Sequence, residues 1–312
     1  MHEYYQHLAN LLKQGSCTRT TILSGNSIGE ESISVDGKRR LNTKQYALGE
    51  TSTLVEQLLP KPHLVIFGGG HVSLALYKLG VLQEMPMDIY DDRQEFANRQ
   101  RFPQATVHCM PFEDIGKISI SFPGAYVVIA THGHLFDRAC LAYALRQPHA
   151  YIGMIGSKKK VAFTYDALLQ EGFSTEELSM VHAPIGLPIG GDSPAEIAIS
   201  IMAQIISIYA KDPNRVLIDP AVLEAAAECE GTASLVRVLE KSGSSPATPG
   251  AMMLVTESAV IGTVGGGSVE GRAIEQARHL TKNRIEEVDL GIGGDAGMVC
   301  GGKVKLLYTR LS

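Results

Sequence analysis

A short apolar run that opens directly into three glycines constrains this chain more than any other feature: Leu64-Val-Ile-Phe67 followed by Gly68-Gly69-Gly70-His71-Val72. The apolar residues read as a buried strand and the residues after the loop as a helix. The glycines between them permit a tight turn and a close backbone approach, so that the first N–H groups of the helix face a phosphate. Ser73 stands where a dinucleotide fingerprint has its third glycine. Asp91, 21 positions after Gly70, ends the next strand, where a carboxylate normally takes ribose hydroxyls. Spacing, strand and acid together point to a nucleotide or dinucleotide-like ligand on Gly68, Gly69, Gly70 and His71; a ligand-free tight turn is the plainer alternative. The loop carries no information about hydride transfer.

The pattern around that loop repeats. Strands at Leu64 to Phe67, Met87 to Tyr90, Tyr126 to Ala130 and Tyr151 to Ile155 alternate with helices starting near Val72 and Asp137. This alternation describes a parallel sheet with helices on both faces. A closing helix begins at Ser193-Pro-Ala-Glu196, a cap, a first-turn proline and a first-turn carboxylate. Ahead of the unit, Pro60-Lys-Pro62 breaks the chain. Residues 1–60 show a helix through Leu8, Leu11 and Leu12 that stops at Gly15, then a strand from Thr18 to Leu23. Alone this segment is too small to fold, so it is expected to pack with the C-terminal residues. There a helix from Ala221 to Cys229 precedes strands at Leu235 to Leu239, Met252 to Thr256 and Val260 to Val264. A helix from Ser268 to His279 follows, then strands at Ile285 to Leu290 and Lys303 to Thr309. The expected fold is α/β: a Rossmann-like parallel-sheet domain at 63–212 plus a smaller α+β domain at 213–312 joined by 1–60.

A chain of 312 residues that is 45% hydrophobic can bury two cores. Its formal net charge of −5 gives no cationic field for nucleic acid or anionic lipid. The longest apolar stretch, Ile197 to Ala210, is interrupted by Ser200, Gln204 and Ser207 and falls short of the roughly 20 residues that cross a bilayer. The first residues lack the organisation of a signal peptide, and five cysteines without Cys-x-x-Cys spacing give no disulfide framework; a cytoplasmic protein with reduced thiols is expected.

Four further loops carry polar groups. Thr131-His132-Gly-His134, with Asp137, lies at the carboxyl end of a strand, where imidazoles and a carboxylate bind metal, relay protons or cap the next helix; ligand contact is the favoured reading. Gly156-Ser157-Lys158 starts another helix and offers a second anion site or a solvated basic turn. Gly265-Gly266-Gly267-Ser-Val-Glu270 is a backbone anion site on paper. Cys300-Gly301-Gly302 presents a thiol among residues without side chains, although a cysteine is often a small buried hydrophobe.

These motifs, in order, resemble the xanthine dehydrogenase accessory factors, the XdhC/CoxI family. The front domain is similar through His63 to Val72, Asp91-Asp-Arg93, Thr131 to His134, Tyr151 to Ser157, Ala183 to Leu187 and Pro194 to Ile197. The rear unit is similar through Gly243 to Pro246, Gly250 to Val255, Gly262 to Gly267, Glu270 and Gly297 to Gly302. The resemblance covers 63 to 210 and 232 to 309. Three departures stand out: the cysteine-bearing module comes last instead of first, Gly133 replaces an aspartate, and Gln204 replaces a glutamate.

The resemblance implies a cofactor-binding chaperone rather than a catalyst. It would hold molybdenum cofactor, as molybdopterin or its cytosine dinucleotide, while a terminal sulfur is installed, then insert it into a molybdenum hydroxylase apoenzyme. A cysteine desulfurase-type protein is the implied sulfur donor. Gly68, Gly70 and Asp91 would hold the nucleotide-like end and Cys300 would lie near the molybdenum, with a homodimer as one way to bring the two together. Two other readings share the residues: an NAD(P)-dependent oxidoreductase using His132 or His134 as proton donor, and a ligand-free scaffold for the hydroxylase and a sulfurtransferase.

Overall fold

The computed structural model describes residues 2–35, 38–42, 52–118, 124–211, 215–245, 247–290 and 302–311. Two compact units emerge, one from Met1–Pro60 with Asn214–Ser312 and the other from Lys61–Pro213.

The discontinuous unit starts with α1 (His2–Gln14), which buries Tyr4, Tyr5, Leu8, Ala9 and Leu11 along one stripe. Four strands follow, β1 (Cys17–Ile22), β2 (Glu31–Val35), β3 (Lys38–Asn42) and β4 (Thr53–Leu59). Sequence periodicity shows only the first of these.

The continuous unit contains β5 (Leu64–Phe67), α2 (His71–Leu82), β6 (Met87–Asp91), β7 (Thr106–Cys109) and β8 (Ala125–Ile129). It continues with α3 (His134–Leu145), β9 (His149–Met154), α4 (Lys158–Gln170), α5 (Thr175–Ser179) and α6 (Pro194–Tyr209). Its five strands run parallel in the order β7-β6-β5-β8-β9. Alternate residues of β5 point to opposite faces. Val65 and Phe67 pack with Leu141, Tyr143 and Leu168 of α3 and α4, whereas Leu64 and Ile66 pack with Leu76, Ala198 and Ile201 of α2 and α6. Ser193 caps α6 and forms the reciprocal pair with Glu196 that its sequence announces.

The chain then returns to the first unit as β10 (Arg215–Leu217), α7 (Pro220–Glu228), β11 (Ala233–Gly243), β12 (Met252–Thr256) and β13 (Val260–Gly262). The last elements are α8 (Gly267–Arg278), β14 (Arg284–Asp289) and β15 (Gly302–Leu311). Two five-stranded sheets result, β10-β4-β1-β2-β3 and β13-β12-β11-β15-β14. Residues 1–60 therefore contribute most of a sheet, more than the single helix and strand their pattern shows.

A buried charge network ties the two sheets. Arg19 on β1 reaches Glu56 on β4 at 3.0 Å, and Arg237 on β11 lies 2.8 Å from Glu31 on β2 and 3.3 Å from Glu56. Tyr4 donates to Glu31 at 2.7 Å and Arg237 to Thr21 at 2.7 Å. Burial alone would raise the Glu31 carboxyl, but the two guanidiniums hold it below its ordinary value. Two cations and two anions balance, which is what makes burying all four tolerable.

Candidate functional site

The order of the parallel sheet places β5 between β6 and β8, and the helices that follow β5 and β8 pack on opposite faces. The crevice where the connections diverge, outside the carboxyl ends of β5 and β8, is where folds of this kind bind ligands. Gly68 has φ +108°, and a Cβ there would lie 2.1 Å from the carbonyl oxygen of Ala130, so only glycine lets the two loops meet. A Cβ on Gly69 would lie 2.6 Å from the Phe96 carbonyl oxygen. Gly70 differs: a Cβ there meets nothing within 4 Å, and no side chain caps the first turn of α2 above it. Two glycines shape the cradle and the third leaves it open. His71 is exposed at its rim.

Asp91 does something other than the ribose contact its spacing announces. It is fully buried, accepting from the Gly69 amide at 2.7 Å, the Arg93 amide at 3.0 Å, Arg93 Nε at 2.9 Å and Arg93 Nη2 at 3.0 Å. Burial would raise this carboxyl, yet the Arg93 and Gly69 hydrogen bonds outweigh burial and hold it below the usual range. Both oxygens are committed to fixing the loop. Arg93 lies over the Phe96 ring at 3.8 Å, and Arg101 donates to the Gly69 carbonyl at 3.0 Å. Arg93 is visible in its motif; no local pattern marks Arg101, which reaches the loop from 32 residues away.

On the other side of the crevice, His132 Nε2 lies 2.8 Å from Asp92 Oδ1. Asp91, Asp92 and His132 can each offer a ligand atom within 4.8 Å of the others. With Asp91 already held by a guanidinium, a dication there meets the repulsion of Arg93, so an ion-paired rim describes the group better than a metal centre. Asp137 is turned elsewhere. It is fully buried, accepts from Thr131 Oγ1 at 2.7 Å and pairs with Lys160, locking the loop after β8 to the first turn of α4. The expected grouping of His132, His134 and Asp137 is thus divided: Asp137 is structural, and the side chain of His134 lies outside the described residues.

Ser157 caps α4 by accepting from the Lys160 amide at 3.3 Å, which engages its oxygen and leaves its O–H able to donate; Gly156 packs tightly against Lys160, and Lys158 is exposed. Gln204, the residue that departs from the family pattern, accepts from Tyr151 Oη at 2.7 Å and the Gly186 amide at 2.9 Å while donating to the Gly186 carbonyl at 3.4 Å. A glutamate lacks the donor that this last contact uses.

The rear glycine loop is corrected by the structure. Glu270 folds back over it and accepts from the Val264 amide at 3.1 Å, the Gly266 amide at 3.1 Å and Thr263 Oγ1. Although burial opposes it, these donors hold the carboxyl below its ordinary value. Of the three glycines, Gly266 thus has its anion from the protein itself, while the Gly265 amide donates to Thr263 Oγ1 at 3.1 Å. Gly302 is a packing glycine, its Cβ position 2.6 Å from the Ser242 carbonyl oxygen. Cys300 and Gly301 lie outside the described residues.

Residues 64–205 match the XdhC Rossmann domain, and residues 220–289 match the XdhC and CoxI family. Among curated proteins, the uncharacterized protein YqeB of Escherichia coli is 31% identical over 163 residues, which cover 52% of this chain and 30% of that one. A Bacillus subtilis protein described as a probable xanthine dehydrogenase subunit is 28% identical over 158 residues, covering 50% of this chain and 46% of that one. These matches therefore span less than half the length of either relative. A crystal structure described as a xanthine dehydrogenase from Bacillus halodurans aligns with a TM-score of 0.55 at 26% identity, covering 66% of this chain and 67% of that chain. With both modules matched and the glycine cradle of the first in place, this chain belongs to the XdhC and CoxI family.

Proposed function

We propose that this protein is an accessory factor that binds molybdenum cofactor, as molybdopterin or its cytosine dinucleotide, and assists its sulfuration and insertion into a xanthine dehydrogenase-type molybdenum hydroxylase. The observation that carries the reading is the cradle at Gly68–Gly70, rigid on two sides and open at Gly70 beneath an uncapped helix start, in a chain of this family. An open set of backbone N–H groups at a helix N-terminus suits the phosphate end of the cofactor. Gly70 and the first turn of α2 would hold that end, Asp91 and Arg93 keep the loop in shape, and Asp92 with His132 forms the rim. When bound, the cofactor supplies a soft, dithiolene-held metal. Cys300, as a soft thiolate, is proposed to lie near it. The client apoenzyme and a cysteine desulfurase-type donor are the proposed partners.

The test is anaerobic binding of molybdenum cofactor to the full chain, in competition with NAD(H) and cytidine nucleotides, for wild type, Gly70→Glu and Cys300→Ala. Gly70 has φ −67° and room for a side chain, so Gly70→Glu should fold while placing a carboxylate against the phosphate. Loss of cofactor binding by at least about tenfold in Gly70→Glu is the expected result, with weaker retention in Cys300→Ala. Preference for NAD(H), indifferent to Cys300→Ala, would transfer the case to the oxidoreductase reading.

A further inference from the structure

The glycine cradle is held from two sides whose charges are not balanced. On one side Arg93 answers two carboxylates, Asp91 at 2.9 Å and Asp92 at 3.8 Å. On the other, Arg101 donates through Nη2 to the Gly69 carbonyl at 3.0 Å, and among the described residues no carboxylate oxygen lies within 4.0 Å of it. Its Nε is buried with no hydrogen-bond partner among the described residues. The guanidinium stands 5.2 Å from the Phe96 ring and 5.6 Å from the Phe102 ring, while Arg93 sits on the same Phe96 ring at 3.8 Å. Two cations thus share one aromatic side chain, and only one has a counter-ion. The ring faces relieve part of that repulsion. A half-desolvated guanidinium with donors to spare still carries an electrostatic cost that an anion would remove. Gly70, where a Cβ meets nothing within 4 Å, directly follows the carbonyl that Arg101 holds.

We propose that Arg101 is the counter-charge of this site, supplying the guanidinium for a phosphoryl group seated over Gly70, so that the site selects its ligand by phosphate charge and not by the ribose hydroxyls. This rests on the proposed cofactor site and names its ligand class: a pyrophosphate or nucleoside diphosphate in preference to the bare nucleoside. A guanidinium, with its planar fork, suits that contact better than an ammonium, so lysine should replace it only in part.

Calorimetric titration of the full chain with inorganic pyrophosphate, cytidine diphosphate and cytidine tests the assignment, using wild type, Arg101→Gln and Arg101→Lys, each checked by thermal unfolding. Arg101→Gln should weaken pyrophosphate and the diphosphate roughly tenfold to a hundredfold, Arg101→Lys less, and neither should change cytidine binding. A readout on the unmutated protein guards against misfolding of the variants: pyrophosphate should protect Arg101 from phenylglyoxal, followed by peptide mass spectrometry. Undiminished diphosphate binding by Arg101→Gln, or modification of Arg101 at the same rate with and without pyrophosphate, would overturn the role of Arg101 and leave the cofactor site standing. Failure of the wild type to bind either phosphorylated probe would remove both.

Discussion

Gly68–Gly70 and Gly265–Gly267 are the same word in the sequence, three glycines between a strand and a helix, and the folded chain uses them in opposite ways. The rear loop encloses its own carboxylate, since Glu270, three residues after the last glycine, accepts from the Val264 and Gly266 amides at 3.1 Å each. At the matching offset in front stands Ser73, which is buried and has no hydrogen-bond partner for its hydroxyl among the described residues. The front loop is instead braced from outside by Asp91 on the neighbouring strand, and Gly70 remains open. A glycine triplet is therefore a capacity to bind an anion; whether it is free depends on where the nearest carboxylate sits.

The sharpest way to break this contrast is at Gly68. Gly68→Ala adds left-handed strain and a clash with the Ala130 backbone, so urea unfolding should show the Rossmann unit destabilised by about 3–5 kcal/mol. A loss under about 1 kcal/mol would mean that the two loops do not touch as described.

Next comes the outside brace. Asp91→Asn should cost about 2 kcal/mol at neutral pH by weakening charged hydrogen bonds to Arg93 and Gly69. The folded carboxyl sits below its ordinary value, so its stabilisation is complete above the unfolded value of about 4 and disappears as pH falls through the folded one. Denaturation midpoints of wild type and Asp91→Asn should accordingly converge in acid, and a gap independent of pH would show that Asp91 does not carry the brace.

The inside plug gives a smaller effect. Removing it with Glu270→Ala should cost about 1–2 kcal/mol and free the rear amides, and a pyrophosphate titration of Gly70→Glu with Glu270→Ala should reveal a site that Gly70→Glu alone lacks. No new binding would mean that the rear loop closes without its carboxylate. Gly266→Ala acts on the same loop through the backbone. Its φ of 74° with ψ of −175° is a conformation open essentially to glycine alone, so even with free space around it thermal unfolding should register a loss of about 1–2 kcal/mol.

The parallel sheet is legible because its strands are buried on both faces and read as unbroken apolar runs; Leu64–Phe67 ends where its pattern ends. Met252–Thr256, in an antiparallel sheet of the other unit, does the same because four of its five residues are buried. The strands β2 and β4, which the pattern does not show, carry Glu31 and Glu56 into the interior, and β1 carries Arg19. A buried charge interrupts the pattern that marks a strand, and its partner, Arg237, is 206 residues beyond Glu31. β7 is hidden for another reason, being a four-residue edge strand with no fully buried residue. In the site, strand, glycines and acid are readable, but the direction in which Asp91 spends its oxygens is not.

The sequence by itself determined the alternation of strand and helix, the glycine turns that join them and the caps that start α6, because each depends on residues within a few positions of one another. Tertiary structure alone decided which glycine loop stays open, which carboxylate is spent on a backbone amide and which guanidinium has no carboxylate beside it among the described residues. Those outcomes depend on groups brought together from distant parts of the chain, where hydrogen bonds and charges are settled only after the sheets have formed.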